Sequence, residues 1–399
     1  MSSQAASAFK EVVIVSAART PVGSFGGSLQ DVPAVVLGGT AIKGAVERAG
    51  IDPAIIDEVI MGCVLPGAIG QAPARQAALY AGLPKRVECL TINKVCGSGL
   101  KAVMLAAQAI MVGDAEVIVA GGMENMDAAP YALPKGRYGH RMGNATMIDT
   151  MVNDGLWDPY QNKHMGMFAE LCAKEEGYTR EAQDAFAIES YARSVKAVNE
   201  GWLDDEIVPV EIKGRKGVVV VDKDEEPGRG NPAKIPALRP AFDKEGTVTA
   251  ANASSINDGG AAMVVMSADK AAELGLTPMV RIVGQASFAH EPEWFTTAPK
   301  FAVEKLLNKT KRAASDIDLW EINEAFAVVT MYANDKLNLD PAKVNVHGGA
   351  VSIGHPIGAS GARILVTLLY AMQRYGKNSG VATLCIGGGE AAALLVEAM

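Results

Sequence analysis

The sequence predicts an α/β protein made of two similar halves with an insertion between them. Three observations carry this expectation. Short β-branched runs alternate with Ala-rich amphipathic stretches along most of the chain, the pattern of layered helices and sheets. The order of motifs in the first 125 residues returns after residue 278. Residues 126–255 break that order with turns rich in Met, Gly and Pro. A length of 399 residues leaves room for two to three domains.

The elements follow in order. "EVVIVSAART" (11–20) reads as a buried strand, and "VPAVVLGGTAIKGAVERAG" (32–50) as a helix stopped by glycine. "IDEVIMGCV" (56–64) is a second strand, "SGLKAVMLAAQAIMVGD" (98–114) a helix, and "AEVIVAGGMEN" (115–125) a strand ending in a glycine turn. In the C-terminal part, "PMVRIVGQAS" (278–287) stands where the first strand stood, and "DIDLWEINEAF" (316–326) answers "DPAIIDEVIMG". "GASGARILVTLLYAMQRYGKNSGVATLCIGGGE" (358–390) answers "CGSGLKAVMLAAQAIMVGDAEVIVAGGME" (96–124) through S-G-x-[KR], a long apolar helix, a polar turn, a strand and GG-x-E. Cys96 then falls opposite Gly358, and Cys385 opposite Val119. The expected division is an N-terminal half over 1–125, completed by about 256–277, an inserted loop domain over 126–255, and a C-terminal half over 278–399. The insertion holds a polar amphipathic helix (180–201) and a charged loop (213–234), and either covers a ligand or is an ordinary solvated excursion. A functional site is expected where the halves meet.

A net charge of −8 argues against broad nucleic-acid binding but leaves room for an anionic small ligand, which needs only a few local cations and helix N-termini. Five widely spaced cysteines without a CxxC pair fit neither a zinc site nor a disulfide framework, and point to a reducing compartment. "MSSQAASAFK" lacks the charged and apolar regions of a secretory signal, and is too short and Arg-free for a transit peptide. No 18-residue run was expected to span a membrane. The expected location is the cytoplasm.

Four positions have the residue types of a catalytic set. Cys96, at a helix start, would feel the positive end of the helix dipole, which stabilises a thiolate, while Gly97 and Gly99 would admit substrate close to the backbone. The alternative is a buried cysteine acting as a small hydrophobe. In "GGAVSIGHPIGASG" (348–361), His355 lies between Gly354 and Pro356 amid five glycines, either as a precisely placed base or within a simple turn. Cys385 in "LCIGGGE" ends an apolar strand before three glycines whose N–H groups would face an oxyanion, or is a strand cysteine before a flexible turn. Asn323 in "EINEAF" would hold a water or a carbonyl, or form a turn. Together they supply a nucleophile, an activator, a second acid/base and oxyanion donors. That inventory suits acyl transfer with carbon–carbon bond formation or cleavage at the carbon alpha to a thioester.

At these motifs the sequence resembles the thiolase family, and it does so over essentially its whole length. "NKVCGSGLKAV", "VAGGMENM", "ANASSINDGG", "EINEAFA", "GGAVSIGHPIGASGARIL" and "CIGGGE" stand in family order. "VCGSGLKAV" and "HMGM" (164–167) are most similar to its acetyl-CoA acetyltransferases. The resemblance implies a five-layered α/β/α/β/α fold and reversible condensation of two acetyl-CoA to acetoacetyl-CoA and CoA, with no cofactor required. It implies that Cys96 becomes acetylated, that His355 activates it, and that Cys385 exchanges the alpha-carbon proton. Asn323 would position the water that joins His355 in one oxyanion hole, and the N–H groups of Cys96 and Gly387 would form the other. Coenzyme A would meet His164 and Met165 near its acyl end, then Phe242, Ala250, Ser254 and Phe326, with Arg229 towards the nucleotide phosphates. The resemblance also implies a homotetramer, and some relatives with "GGAVS" bind potassium near Val351.

Four positions depart from the family pattern. Phe295 stands where many bacterial relatives carry Met, Ser255 and Gly260 where Gly and Ala are commoner, and Glu390 where Gly, Met or Gln is usual; the glutamate would cap a helix or face solvent. Two rival readings are a degradative 3-ketoacyl-CoA thiolase with a longer or 2-methyl-branched acyl range, and a non-catalytic acyl-CoA-binding member of the fold.

Overall fold

The computed structural model describes residues 9–215 and 217–399, so the polar leader at 1–8 lies outside it. Ten strands form one sheet, and nine of them lie along a single path. In chain order these are β1 (Val12–Arg19), β2 (Glu58–Gly62), β3 (Glu88–Ile92), β4 (Val117–Asn125), β5 (Asn257–Ser267), β6 (Val280–Ala289), β7 (Leu319–Ile322), β8 (Ser379–Ile386) and β9 (Glu390–Ala398). Their order is β7-β8-β9-β6-β1-β5-β4-β2-β3. The run β2-β4-β5-β1 and the run β7-β8-β9-β6 have the same senses: one parallel pair, then two antiparallel pairs. They meet where β1 pairs β6 over only Val13↔Arg281 and Ile14↔Val280. The duplication read in the motifs is thus a duplication of strand order.

The layers follow from the period-two alternation of strand side chains. In β5, Ala261, Met263 and Val265 point to a central pair of helices, while Ala262, Val264 and Met266 pack under an outer pair. In β9, Ala392, Leu394 and Val396 point inward and Ala391, Ala393 and Leu395 outward. Both faces of β5 and β9 are buried along most of their length, which is why these segments are apolar without alternation. The outer pair on the first half is α1 (Ala34–Ala49) and α2 (Pro73–Tyr80); the central pair is α3 (Ser98–Val112) and, later in the chain, α8 (Ile357–Tyr375). Between these last two come α4 (Met165–Glu176), α5 (Arg180–Asn199), α6 (Ala298–Thr310) and α7 (Ala327–Leu337), of which α6 and α7 cover the second half. The result is the expected five-layered α/β/α/β/α arrangement. α1 ends as its glycine predicted, with Gly50 in the left-handed conformation at φ 64°.

Two sequence readings change here. The window Val95–Val112 has a mean hydropathy of 1.6, so the chain does contain one 18-residue run apolar enough to cross a membrane. It overlaps α3, which needs that composition because it is packed between the two halves of the sheet. Gly99 and Gly361 serve the crossing of α3 with α8 rather than access of substrate. A Cβ on Gly99 would lie 2.6 Å from the Ala362 nitrogen, and one on Gly361 2.4 Å from the Leu100 nitrogen.

The inserted segment supplies α4, α5 and a hairpin, Val210–Gly214 with Gly217–Val221, which overlaps the start of the stretch read as a charged loop. It is tied to the core by the buried Arg19 at the end of β1, which donates to Glu206 at 2.6 Å and to both oxygens of Asp224 at 2.7 and 2.8 Å. Breaking such a pair from one side leaves an uncompensated buried charge, so the insertion is anchored rather than appended.

Candidate active site

Cys96 sits in a tight turn between β3 and α3. The Gly97 and Ser98 N–H groups donate to the carbonyls of Lys94 and Val95, at 3.0 and 3.1 Å. The Ser98 hydroxyl accepts from the Lys94 N–H at 2.8 Å and donates to the Val95 carbonyl at 2.7 Å. Val95 is held at φ 46°, a left-handed conformation that a β-branched residue adopts only when its surroundings impose it. The strained turn brings the Cys96 thiol to the N–H of Gly387, whose dipole favours a charge on the sulfur. Gly97 leaves no room for a side chain, since its Cβ would lie 2.3 Å from Ile386 Cδ1.

The helix-dipole expectation for Cys96 does not prevail at rest. Burial pushes its thiol up to about 11, against the lowering effect of the Gly387 and Cys96 N–H groups. Desolvation of the thiolate outweighs two hydrogen bonds, so the resting group is a thiol that needs a base.

His355 provides one. The Ser360 hydroxyl donates to the Pro356 carbonyl at 2.8 Å, so its oxygen accepts from His355 Nδ1, 2.5 Å away. This places the imidazole proton on Nδ1 and leaves Nε2 with a free lone pair; Nε2 is buried without a partner among the described residues. The backbone is pinned as well: the His355 N–H donates to Asn257 Oδ1 at 2.8 Å, and the Ser255 hydroxyl donates to the same oxygen at 2.8 Å. Burial, and secondarily the nearby Arg363 guanidinium, pull His355 down to about 3. Its imidazole is therefore expected to remain neutral, in the Nδ1–H form, down to about pH 5, well below the usual histidine range. Nitrogen chemical shifts of labelled His355 check this, and a protonated ring at pH 6 would refute it.

Cys385 is the penultimate residue of β8 and is 1% exposed. Burial, and then proximity to Cys96, push its thiol far up, so a charge on either sulfur opposes a charge on the other. Asn323 follows β7 and is fully buried, with neither amide atom partnered among the described residues. An amide left open in this way has its hydrogen-bonding capacity available to a ligand or a water.

Cys96, His355 and Gly387 share one apolar cavity of about 230 Å3 with Met126, Leu156, Ile357 and the strip 253–256. His164, Met165, Phe242, Ser254 and Phe326 also line it. His164 caps α4, accepting from the Gly166 N–H at 3.1 Å, and stacks on Phe242 at 4.7 Å. Phe242 meets Phe326, and Phe326 meets Phe295, edge to face at 6.1 and 6.2 Å. Cys385 packs into the same aromatic cluster behind that wall. Arg229 and Ala250 are exposed, and neither is among the cavity-lining residues, so the structure does not bring them to the others.

Sequence reasoning missed Ser360, Asn257 and Ser98, the side chains that orient His355 and Cys96. It also missed the role of Glu124. That fully buried carboxylate accepts from the N–H groups of Val64, Leu65 and Gly358 at 3.0, 3.1 and 2.8 Å, tying the first half to the start of α8. Its signal was present in the repeated GG-x-E. The departures acquire reasons: Gly260 has no space for a Cβ, which would lie 2.6 Å from the Leu37 carbonyl oxygen. Phe295 is 2% exposed and closes the cavity beside Phe326. Glu390 does not cap a helix; it starts β9 and, partly open to solvent, forms an ion pair with Lys94.

The chain matches the family models described as thiolase, N-terminal domain, over residues 12–269 and thiolase, C-terminal domain, over 276–398. It is 57% identical to an acetyl-CoA acetyltransferase of Cupriavidus necator, over 97% of this chain and 99% of the relative. It is 50% identical to one of Schizosaccharomyces pombe, over 97% and 98%. The crystal structure of the Bacillus anthracis acetyl-CoA acetyltransferase superposes with a TM-score of 0.96 at 44% identity, covering 98% of this chain and 100% of that one.

Proposed function

The chain belongs to the thiolase family and is an acyltransferase, and from that premise we propose that it is an acetyl-CoA C-acetyltransferase working through an acetyl group on Cys96. The observation that carries the reading is the convergence, in one apolar cavity, of the Cys96 thiol, an N–H donor on Gly387 and the unpartnered Nε2 of His355. Nε2 takes the thiol proton as the sulfur attacks the carbonyl of acetyl-CoA. The developing oxyanion accepts from the Cys96 and Gly387 N–H groups. The carbon–sulfur bond to CoA breaks, and the departing thiolate takes the proton of Cys385. The Cys385 thiolate then removes a proton from the methyl carbon of a second acetyl-CoA, and that carbon attacks the acetyl group on Cys96. Asn323, through a water, and His355 hold the enolate oxygen. The new bond forms, Cys96 leaves and recovers its proton from His355, and acetoacetyl-CoA is released. Thiolysis runs the same steps backwards.

High thiol pKa values at both cysteines suit this scheme, since each sulfur is charged only when its proton has a destination. Phe295 and Phe326 support a short acyl group, because their bulky rings, packed edge to face, narrow the cavity they line. Potassium is given no step: beside Val351 the carboxylate of Glu324 already accepts from Ser190, Asn345 and the Val351 N–H. A homotetramer in the cytoplasm completes the reading. Incubation with acetyl-CoA followed by peptide mass spectrometry should find one acetyl group on the Cys96 peptide, and thiolysis should favour acetoacetyl-CoA over longer 3-ketoacyl-CoAs. No adduct would favour a binding protein, and a preference for long chains would favour a degradative thiolase.

A further inference from the structure

The two GG-x-E motifs of the repeat end in Glu124 and Glu390, and each glutamate reaches into the other half. Glu124 accepts from the Gly358 N–H at 2.8 Å, three residues after His355. Glu390 forms an ion pair with Lys94, two residues before Cys96. The duplicated fold thus holds both reactive turns by the same device, crossed between halves. The grip on Cys96 differs in using a salt bridge where the grip on His355 uses the backbone.

We propose that Lys94 and Glu390 are positioning residues whose ion pair holds the Cys96 turn against the turn that carries the Gly387 N–H. The inference rests on the role of Cys96 proposed above. Three observations converge on it. Lys94 is built into the Cys96 turn: its carbonyl accepts from the Gly97 N–H and its own N–H donates to Ser98. That turn is strained at Val95, so it relaxes unless something outside it opposes relaxation. Glu390 directly follows Gly388 and Gly389, at φ 89° and 84°, in a loop closed by the pairing of Ile386 with Glu390 and by the His290 N–H on the Gly389 carbonyl, so Glu390 is a fixed point beside Gly387. Without the Lys94–Glu390 pair, the strained Cys96 turn loses its charged tie to that fixed point. The Lys101 ammonium faces the same pair from α3, so loss of Glu390 also leaves two cations unopposed.

A surface ion pair by itself contributes little to stability. The expected signature is therefore kinetic. In the full-length protein, Glu390→Gln and Lys94→Gln should each lower kcat for thiolysis of acetoacetyl-CoA by about tenfold, since small misplacements of reacting groups cost up to ~100-fold. KM should stay within about twofold and the melting temperature should be unchanged, because the pair orients groups rather than binding substrate. The double Gln variant should be no slower than the slower single one, and the reversed pair, Lys94→Glu with Glu390→Lys, should recover most of the rate. Hydrogen exchange at the Gly387 amide should quicken in the single variants and slow again in the reversed pair. Unchanged kcat, or losses that multiply in the double variant, would overturn the proposal. Acetylation of Cys96 in the unsubstituted protein is measured alongside. Its absence defeats the acetyl-cysteine reading, whereas its presence with indifferent variants defeats only the ion-pair role.

Discussion

Cys96→Ser is expected to reduce turnover in both directions by about a thousandfold or more, an increase of ~4 kcal/mol in the barrier. A hydroxyl is a far weaker acid than a thiol, and His355 is a poor proton acceptor because burial holds it near 3. The thiol reaction is feasible because sulfur yields its proton during attack and is intrinsically nucleophilic. Serine loses both advantages while keeping nearly the same volume, so the fold and the Gly387 contact should persist. Initial rates of thiolysis and condensation, together with a thermal melt, provide the check. A serine variant within tenfold of the original rate would mean that Cys96 does not carry the acyl group.

Cys385→Ala should separate the two half-reactions. The acetyl-enzyme should still form, because departing CoA is an ordinary thiol of pKa about 8.5 whose thiolate is tolerable at neutral pH. Condensation should fall by about 10²–10⁴-fold, the usual contribution of a positioned acid–base group. The measurement is mass spectrometry of the Cys96 peptide alongside acetoacetyl-CoA production. Full condensation by the alanine variant would remove Cys385 from the mechanism. Loss of both half-reactions would point instead to repacking of the Phe295–Phe326 cluster on which Cys385 rests.

Much of this protein was legible in one dimension because its fold is duplicated. The strand and helix segments quoted for the first half reappear as β1, β2, α3 and β4, and those quoted for the second as β6, β7, α8 and β8. Three strands, β3, β5 and β9, were not read. In β5 and β9 small residues such as Gly259, Gly260 and Ala391–Ala393 dilute the β-branched signal, and β3 is a short edge strand with exposed positions. The cysteines, histidine and asparagine were legible because few residue types support their chemistry. Arg229 and Ala250, which the resemblance placed further along coenzyme A, do not line this cavity.

The sequence by itself determined the α/β layering, the repeat and the candidates for the reactive groups, all of which depend on local pattern and residue type. Tertiary structure alone decided their states. Whether Cys96 rests as thiol or thiolate depends on desolvation against two N–H donors, one of them 291 positions away on Gly387. Which nitrogen of His355 is the base depends on the direction of the Ser360 hydroxyl, itself set by the Pro356 carbonyl. Glu390, ambiguous in the sequence, faces Lys94 because the two halves close on each other around α3 and α8. Hydrogen bonding and desolvation act over a few ångströms of space, and a sequence records no such distances.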